Sequence, residues 1–552
     1  MPIANHQQSP RQSMAGLHRW VSVVFGALLY VIFFTGSLSF YQQEISLWMQ
    51  PELHRSVDRA TSTQQLEHAL QVLQQRAPRA ERWEVQWPNE RQSTLNLSYV
   101  ARGEQRHRHQ APDLIYLDAT TGQQLYPRAT QGGHFLSNFH FQLYALPHVL
   151  ARWIVGLATL LMLVALISGI ITHKKIFQDF FNFRPNKGQR SWLDAHNVSA
   201  VFALPFYVMI CLSGLLLLIY TLMPWAIKDH YPDGRAAFFQ ALNAEQRGQQ
   251  PTLSLPAQQH HGARHEAQAR ALPQFTSLPM ADLKSMLLLA QAQSTMQAIS
   301  AMTLVHPNHI GAQVEFRAAH SEDLIKIDAI PSQHFDAITA ALRPASASNS
   351  SGIVASYNLL TALHLGHVLT PLLRMLLFGA GLLGCGMIAS GLLLWGVKRR
   401  NQLALQQRVP SSIRVVEVLN ISVIMGLAIA CAAYFYANRL LPVQLEARAD
   451  AEIGVFFSAW LLMLIHAAVR SHRQAWLEQL LLALMLYALL PILNFLTGGL
   501  AFWHSAWQGQ WMLFGVDMMF WSFAALFTYG YHKLKRHPGK AAAEYSTATV
   551  EA

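Results

Sequence analysis

Charged side chains are scarce in this chain of 552 residues: Asp, Glu, Lys and Arg together make up 13%, about half the share of a soluble domain. With 52% of the residues hydrophobic, a single water-soluble core is excluded. Cysteine is nearly absent, at three residues. Cys211, Cys385 and Cys431 all fall inside apolar runs, so the polar segments hold no disulfide. No C-x-x-C-H occurs, which excludes covalently attached haem of the c type. The first apolar run is longer than the about 7–15 residues of a signal peptide and no small-x-small site follows it, so it reads as a retained anchor. Gly379, Gly381 and Gly384 spell G-x-G-x-x-G inside an apolar run. With no strand before it, that motif reads as helix packing rather than a dinucleotide loop.

What remains is a set of apolar runs that approach or exceed the roughly 20 residues a helix needs to cross a bilayer. Eight spans are expected, near 18–40, 147–172, 198–224, 368–396, 414–437, 453–469, 475–497 and 511–531. Lys and Arg in the short loops set the orientation. Lys174, Lys175, Arg184, Lys187 and Arg190 lie between spans two and three, and Lys398, Arg399, Arg400 and Arg408 between four and five. Arg470 and Arg473 lie between spans six and seven, and Lys533, Lys535 and Arg536 follow the last. All are on one side, so both termini are expected in the cytoplasm and the segments 41–146 and 225–360 outside. The +11 balance is thereby a topology signal. The expected partner is the lipid bilayer, and nucleic acid is not expected.

The first four spans form a duplication. LHRWVSVVFGALLYVIFFTG (Leu17–Gly36) sets His18 seventeen and eighteen residues before Thr35 and Gly36; AHNVSAVFALPFYVMICLSG (Ala195–Gly214) repeats this with His196, Ser213 and Gly214. ARWIVGLATLLMLVALISG (151–169) is answered by LRMLLFGAGLLGCGMIASG (373–391), each with an Arg sixteen and seventeen residues before Ser-Gly. Each unit is thus a span, an external segment and a return span, and parallel repeats imply a pseudo-twofold axis along the membrane normal. The first external segment reads as α+β: TSTQQLEHALQVLQQRAP is helical, and RWEVQWP, TLNLSYVAR and DLIYLDATTGQQL alternate like strands, with a Thr-Gly turn. In the second, MADLKSMLLLAQAQ is helical and AQVEFRA and LIKIDAI are strand-like, but the Thr-Gly turn is missing. The polar stretch carrying His260, His261 and His265 reads as a linker. The last four spans are not a third copy. Among them His466 is the one histidine well inside a span and Asp517 the one deep carboxylate, and no chemistry is assigned to them.

Ionisable residues at a span are functional candidates by default. His18 and His196 open spans one and three. His140, Tyr144, His148 and Arg152 are four apart, and His364, His367, Pro371 and Arg374 make a similar stripe. Neutral imidazole is a usual axial ligand of haem iron, and facing helices supply ligands inside a bundle. The repeat axis brings equivalent residues face to face, so His18 with His196 would hold one haem and His140 with His364 another. Gly169 and Gly391 would lie near the first pair and Gly36 and Gly214 near the second, leaving room for a flat macrocycle. Arg152 and Arg374 would pair with haem propionates or an anionic substrate. Helix packing by the Ser-Gly and Thr-Gly pairs and ordinary interfacial histidines are the competing reading. The second pair has its own alternatives: one unbroken helix from His140 to Gly169 would run about 43 Å, longer than a core of ~30 Å. Either His140 lies at the headgroups, or the helix breaks near Pro147, or His148 and His367 take its place. His173 competes at the first pair, but its repeat counterpart is Trp395.

The combination LHRW…TGSL, YLDATTGQQL, FHFQLYALPHVLARWIVG…SGIITHKK, WLDAHN…LPFYVMICLSGL and LHLGH…LLRMLLFG…SGLLLWGVKRR resembles the PepSY-associated transmembrane helix family over about residues 10–400. That family includes ferric-siderophore reductases of the FoxB and PiuB type in the bacterial inner membrane. The resemblance implies a mainly α, polytopic protein whose duplicated four-helix core binds two b-type haems, with two periplasmic α+β PepSY-like domains. On that plan the chain divides into 1–40 (N-terminus and first span), 41–134 (first PepSY-like domain), 135–224 (second span, basic loop, third span), 225–360 (second PepSY-like domain), 361–400 (fourth span) and 401–552 (four further spans and tail). Carried over residue by residue, the haem ligands are His18, His140, His196 and His364, and no catalytic side chain is assigned. The implied reaction passes electrons from the cytoplasmic side to a periplasmic ferric siderophore. No flavin or nicotinamide fold is visible, so the donor is a separate cytoplasmic protein or a quinol, for which Phe177, Phe180, Phe181 and Trp192 offer an aromatic docking patch, although an interfacial aromatic belt explains these residues as well. A peptide- or protease-binding signalling protein and a siderophore transporter are the alternatives. The four C-terminal spans and a degraded second PepSY-like domain depart from the family pattern.

Overall fold

The structure, a computed structural model, describes residues 9–102, 114–173, 180, 183–185, 187–231, 278–293, 296, 298–319, 331–343, 352–366, 369–403 and 410–536. They form two compact units. One comprises residues 1–54, 128–222 and 363–552, the other residues 55–127 and 223–362. Outside the described residues lie Lys174, Lys175, Arg408, Phe177, Phe181, His260, His261, His265, His367 and the strand-like LIKIDAI.

The first unit is built from long apolar helices. Among the described residues seven helices are long and apolar enough to cross a membrane and a bent pair makes an eighth, so the chain is a multi-pass membrane protein. Helix α1 (Pro10–Ser39) starts on a Ser9–Gln12 capping box with Pro10 in its first turn, which satisfies otherwise orphaned N–H groups. It leads into the short α2 (Gln42–Trp48). Towards the end of the first external segment the chain enters α4 (Gly132–Gln142). It then leaves helical geometry at Leu143 (φ 50) and Ala145 (φ 63), and α5 (His148–Thr172) begins behind Pro147. A break near Pro147 is one of the outcomes that the helix-length argument left open. The third span is not one rod: α6 (Gln189–Phe202) and α7 (Leu204–Leu217) meet at 65°. Pro205 lies at the joint, where it removes one backbone donor and its ring crowds the preceding turn. The second repeat then closes with α9 (Gly352–Leu365), a left-handed Gly366 (φ 73), and α10 (Pro371–Leu403).

The last four spans are α11 (Ser411–Leu440, with a π-helical turn at Ser422–Gly426), α12 (Arg448–Val469), α13 (His472–Leu496) and α14 (Trp511–Arg536). They bury more charge than expected. Besides Asp517, Glu452 is wholly buried and Glu417 nearly so. Arg448 ion-pairs with Glu452, Arg128 with Glu52 at 2.8 Å, and Arg439 donates to Asn494 at 2.7 Å while lying over the Trp48 ring. The Trp48 indole in turn donates to Asp517 at 2.8 Å. Buried charges persist when paired and hydrogen-bonded in this way. His466 instead meets Glu478 at 2.8 Å.

The second unit corrects the expectation of two separate domains. Its strands β1 (Arg82–Gln86), β2 (Thr94–Val100), β3 (Ile115–Asp118) and β4 (Gln124–Leu125) join β5 (Ile299–Val305), β6 (Gln313–Ala318), β7 (Ser332–Asp336) and β8 (Leu342–Arg343). They make one eight-stranded sheet in the order β4-β3-β2-β1-β5-β6-β7-β8. The halves meet where β1 pairs antiparallel with β5, Val85 opposite Met302. Helices α3 (Ser62–Arg76) and α8 (Leu283–Gln291) share one core with it, burying Leu66, Leu73, Met286 and Leu287 against Trp83, Val85, Leu304 and Phe316. The turn read as missing is present. Asp336 Oδ1 accepts from the N–H groups of Ile338 and Thr339, each at 3.0 Å, as Asp118 Oδ1 accepts from Thr120 and Thr121. Gly122 (φ 69) is replaced by Ala340, held at φ 60. The second half is therefore a full copy whose turn signal was hidden by a Gly-to-Ala difference.

Candidate functional site

Packing of the membrane unit brings the predicted histidines together in pairs. The rings of His18 on α1 and His196 on α6 lie 6.2 Å apart, edge to face at 73°. Those of His140 on α4 and His364 on α9 lie 6.3 Å apart, tilted at 43°. A metal between two imidazoles needs about 2.0–2.1 Å to each nitrogen, to which each ring adds roughly 1.1 Å from nitrogen to centre. Both separations match that sum.

One bonding rule recurs at all four positions. His18 Nδ1 donates to the Ala165 carbonyl at 2.9 Å, His196 Nδ1 to Met387 at 2.8 Å, and His140 Nδ1 to Ile32 at 2.8 Å. His364 Nδ1 takes the Ile210 carbonyl and the Ser213 hydroxyl, the latter at 2.8 Å. Each carbonyl lies four residues before a glycine of the repeat: Gly169, Gly391, Gly36 and Gly214. A carbonyl only accepts, so Nδ1 carries the proton and Nε2 keeps its lone pair, the tautomer a metal ligand requires. Burial also holds His140 and His364, outside the long spans, below the ordinary histidine pKa, and His140 adds to the effect on His364.

The glycines lie beside the pairs, as expected, and line the cavities there. They make room for the imidazoles themselves. A methyl on Gly36 would sit 2.6 Å from His140 Nδ1, on Gly214 3.1 Å from His364 Cε1, on Gly391 3.2 Å from His196, and on Gly169 3.4 Å from His18 Cε1. The hydroxyl before each glycine bonds the same carbonyl in the first pair, Ser168 to Ala165 at 3.0 Å and Ser390 to Met387 at 2.9 Å. These carbonyls, and the contact of Ser213 with His364, were missed at the level of sequence. The register of a hydroxyl and a glycine behind each histidine was the available signal.

Each pair borders an apolar cavity. The first, of ≈ 660 Å³, is lined by His18, His196 and His173, with Arg19, Lys398 and Arg399 also in its wall. The second, of ≈ 300 Å³, is lined by His140, His364, Phe33, Phe40, Phe141 and Cys211. Leu29 and Met162 belong to both walls, so the cavities adjoin. His173 accepts from Asn197 at 3.1 Å and remains beside the first pair rather than in it. His148 is exposed at the start of α5 and is no substitute for His140.

The arginine expectation is corrected. Arg374 is buried in an ion pair with Glu44 at 3.0 Å and lies over Tyr41; Arg152 lies over the Phe141 ring at 5.8 Å. Neither is among the residues lining the two cavities. Glu44, unseen in the sequence reading, neutralises Arg374 because α2 folds back beside α10. The cations in contact with a cavity are Arg19, Lys398 and Arg399 instead. Gly381 and Gly384 take up close helix contacts, against Ser37 and against Phe33 and Tyr207.

The donor set fits a planar cofactor. Among the described residues no group of three or more His, Cys, Asp or Glu is placed to hold a bare metal ion. Two opposed imidazoles supply two axial positions and leave the equatorial ones to a ligand that brings its own nitrogens. A comparison with curated proteins finds no match. The family model described as the PepSY-associated TM region matches residues 15–398, more than half of the chain, and the chain therefore belongs to that family.

Proposed function

We propose that this chain is an inner-membrane oxidoreductase that binds two b-type haems and moves electrons from the cytoplasmic side to a periplasmic ferric siderophore. The observation that carries the reading is the four-fold repetition of one ligand geometry: paired imidazoles at 6.2 and 6.3 Å, each with Nδ1 tied to a carbonyl or hydroxyl. Haem in these sites supplies a one-electron iron couple. His18 and His196 hold one side of the path, near the basic loops, and His140 and His364 hold the other. Leu29 and Met162, common to both cavity walls, keep the intervening gap free of water. Arg19, Lys398 and Arg399 take over the anion-holding role for the first site, where two carboxylates of a haem would meet positive charge. Reduction at the outer face weakens the hold of a hard-oxygen chelator on its iron. The electron donor is a cytoplasmic protein or a quinol.

The test is an absorption spectrum of the purified full-length protein, with pyridine haemochrome quantitation. Two haems per chain and a dithionite-sensitive α-band are expected. A preparation from haem-replete cells with no Soret band would sink the proposal.

A further inference from the structure

The four C-terminal spans have no part in either imidazole pair, yet two of them, α11 and α12, pack against the helix that carries one of the four histidines. Phe135 and Phe139 sit one turn apart on α4, beside the stripe that ends in His140. They pack on Phe456 of α12 with ring centres at 5.1 and 5.9 Å, and Phe139 also meets Trp460 at 6.1 Å. Tyr434 of α11 packs on Phe135 at 5.1 Å and donates its hydroxyl to the Gly132 carbonyl at 3.1 Å. The chain leading into α4 is held by the same two helices. Arg128 reaches the Asn438 carbonyl at 2.8 Å, Arg448 the Ala129 carbonyl at 2.9 Å, and Thr130 donates to Glu452 at 2.6 Å. On its other side α4 presses so closely on α2 that a methyl on Gly133 would lie 2.2 Å from the Gln42 carbonyl.

The second repeat lacks this support. Counted back from His364, the positions of Phe135 and Phe139 hold Leu359 and Leu363, and both stay half-buried, whereas Phe135 and Phe139 are 3% and 7% exposed. Aromatic rings buried against rings fix orientation as well as position, and a wholly buried Arg448–Glu452 pair tolerates little displacement.

We infer that α11 and α12 are a prop for α4, with Phe135, Phe139, Tyr434 and Phe456 acting as positioning residues that hold His140 at its partner. The part concerning metal ligation rests on the haem reading; the part concerning α4 does not. The test uses the full-length protein in nanodiscs, as wild type, Phe456→Ala and the milder Tyr434→Phe. Amide exchange is compared between 132–142 and 204–217, and carbon monoxide binding is measured after reduction, since a site with both axial positions filled has none open. Phe456→Ala is expected to speed exchange in 132–142 by about tenfold and leave 204–217 within about twofold, with carbon monoxide now bound at one site per chain. Tyr434→Phe should do the same by about threefold. Unchanged exchange in 132–142, or equal acceleration in both segments, would overturn the prop. Faster exchange in a haem-loaded variant that still excludes carbon monoxide would overturn the positioning of His140. A wild type without haem refutes the haem reading, and the exchange comparison still decides on the prop.

Discussion

His18 sits in the third turn of the 30-residue α1 and His196 midway along the 14-residue α6, whereas His140 and His364 sit near the ends of α4 and α9, helices of 11 and 14 residues cut off by left-handed residues. The bonds made by the four imidazoles are nearly identical, but their supports are not. The first pair borders the larger cavity, with three cations in its wall, and its neighbouring glycines leave slack of 3.2–3.4 Å. The second borders a cavity of under half that volume, and its tightest glycine leaves 2.6 Å. The two pairs therefore keep one bonding rule while each is braced by different neighbours.

The most severe way to break the comparison is to delete a ligand. His18→Ala should lower haem content from two per chain to one and leave the other band in place, and His364→Ala should do the converse; loss of both or neither in both variants would show that the pairs are not separate sites. A methyl group tests the unequal clearances. Gly36→Ala must displace His140 and should reduce occupancy of the second site by about tenfold, in line with the cost of disturbing a ligand's support, while Gly169→Ala meets His18 at ordinary contact distance and should leave the first site loaded. Equal effects on haem titration would remove the claimed difference.

A smaller effect is expected from the hydroxyls. Ser213 lies 2.8 Å from His364 Nδ1 and Ser168 3.4 Å from His18 Nδ1. Removing a bond of that kind costs about 0.5–1.5 kcal/mol. Ser213→Ala should therefore shift the midpoint potential of the second site measurably, and Ser168→Ala should shift the first by less. Redox titrations that rank the two in reverse order would count against it.

The smallest effect concerns acid. His54, beyond α2, donates from Nε2 to the Leu47 carbonyl at 2.9 Å and accepts from the Leu500 N–H at Nδ1 at 3.2 Å, an arrangement only the neutral ring can make. Burial, with Arg439 nearby, lowers its pKa to about 3. Below about pH 6.5 the unfolded chain binds a proton that the folded chain refuses until about pH 3, so stability falls through that window and is flat above it. Thermal midpoints of wild type minus His54→Gln should shrink as pH drops from 7 to 4; a constant difference would remove His54 from the account.

Much of the membrane unit was legible beforehand. Span positions followed from hydropathy and the pairing of histidines from repeat register, while helix rise left the break between His140 and His148 as one of several outcomes. Pro205 was in plain view, yet the third span was read as straight, because apolarity alone does not register a missing N–H. Strands β5, β7 and β8 escaped notice, as did the second Asp-capped turn, where Ala340 stands in the place of a glycine. Arg374 was misread because its charge was visible and Glu44, distant in sequence, was not connected to it.

By itself the sequence determined which segments enter the bilayer, that the first four are duplicated, and which histidines correspond, since periodicity, length and register are properties of a local stretch. Only the tertiary structure decided that the two external halves share a single sheet, that each repeat glycine makes room for an imidazole, that Arg374 is spent on Glu44, and that α11 and α12 grip α4. Those outcomes depend on which atoms of distant segments come within a few ångströms of one another, and packing alone sets that distance.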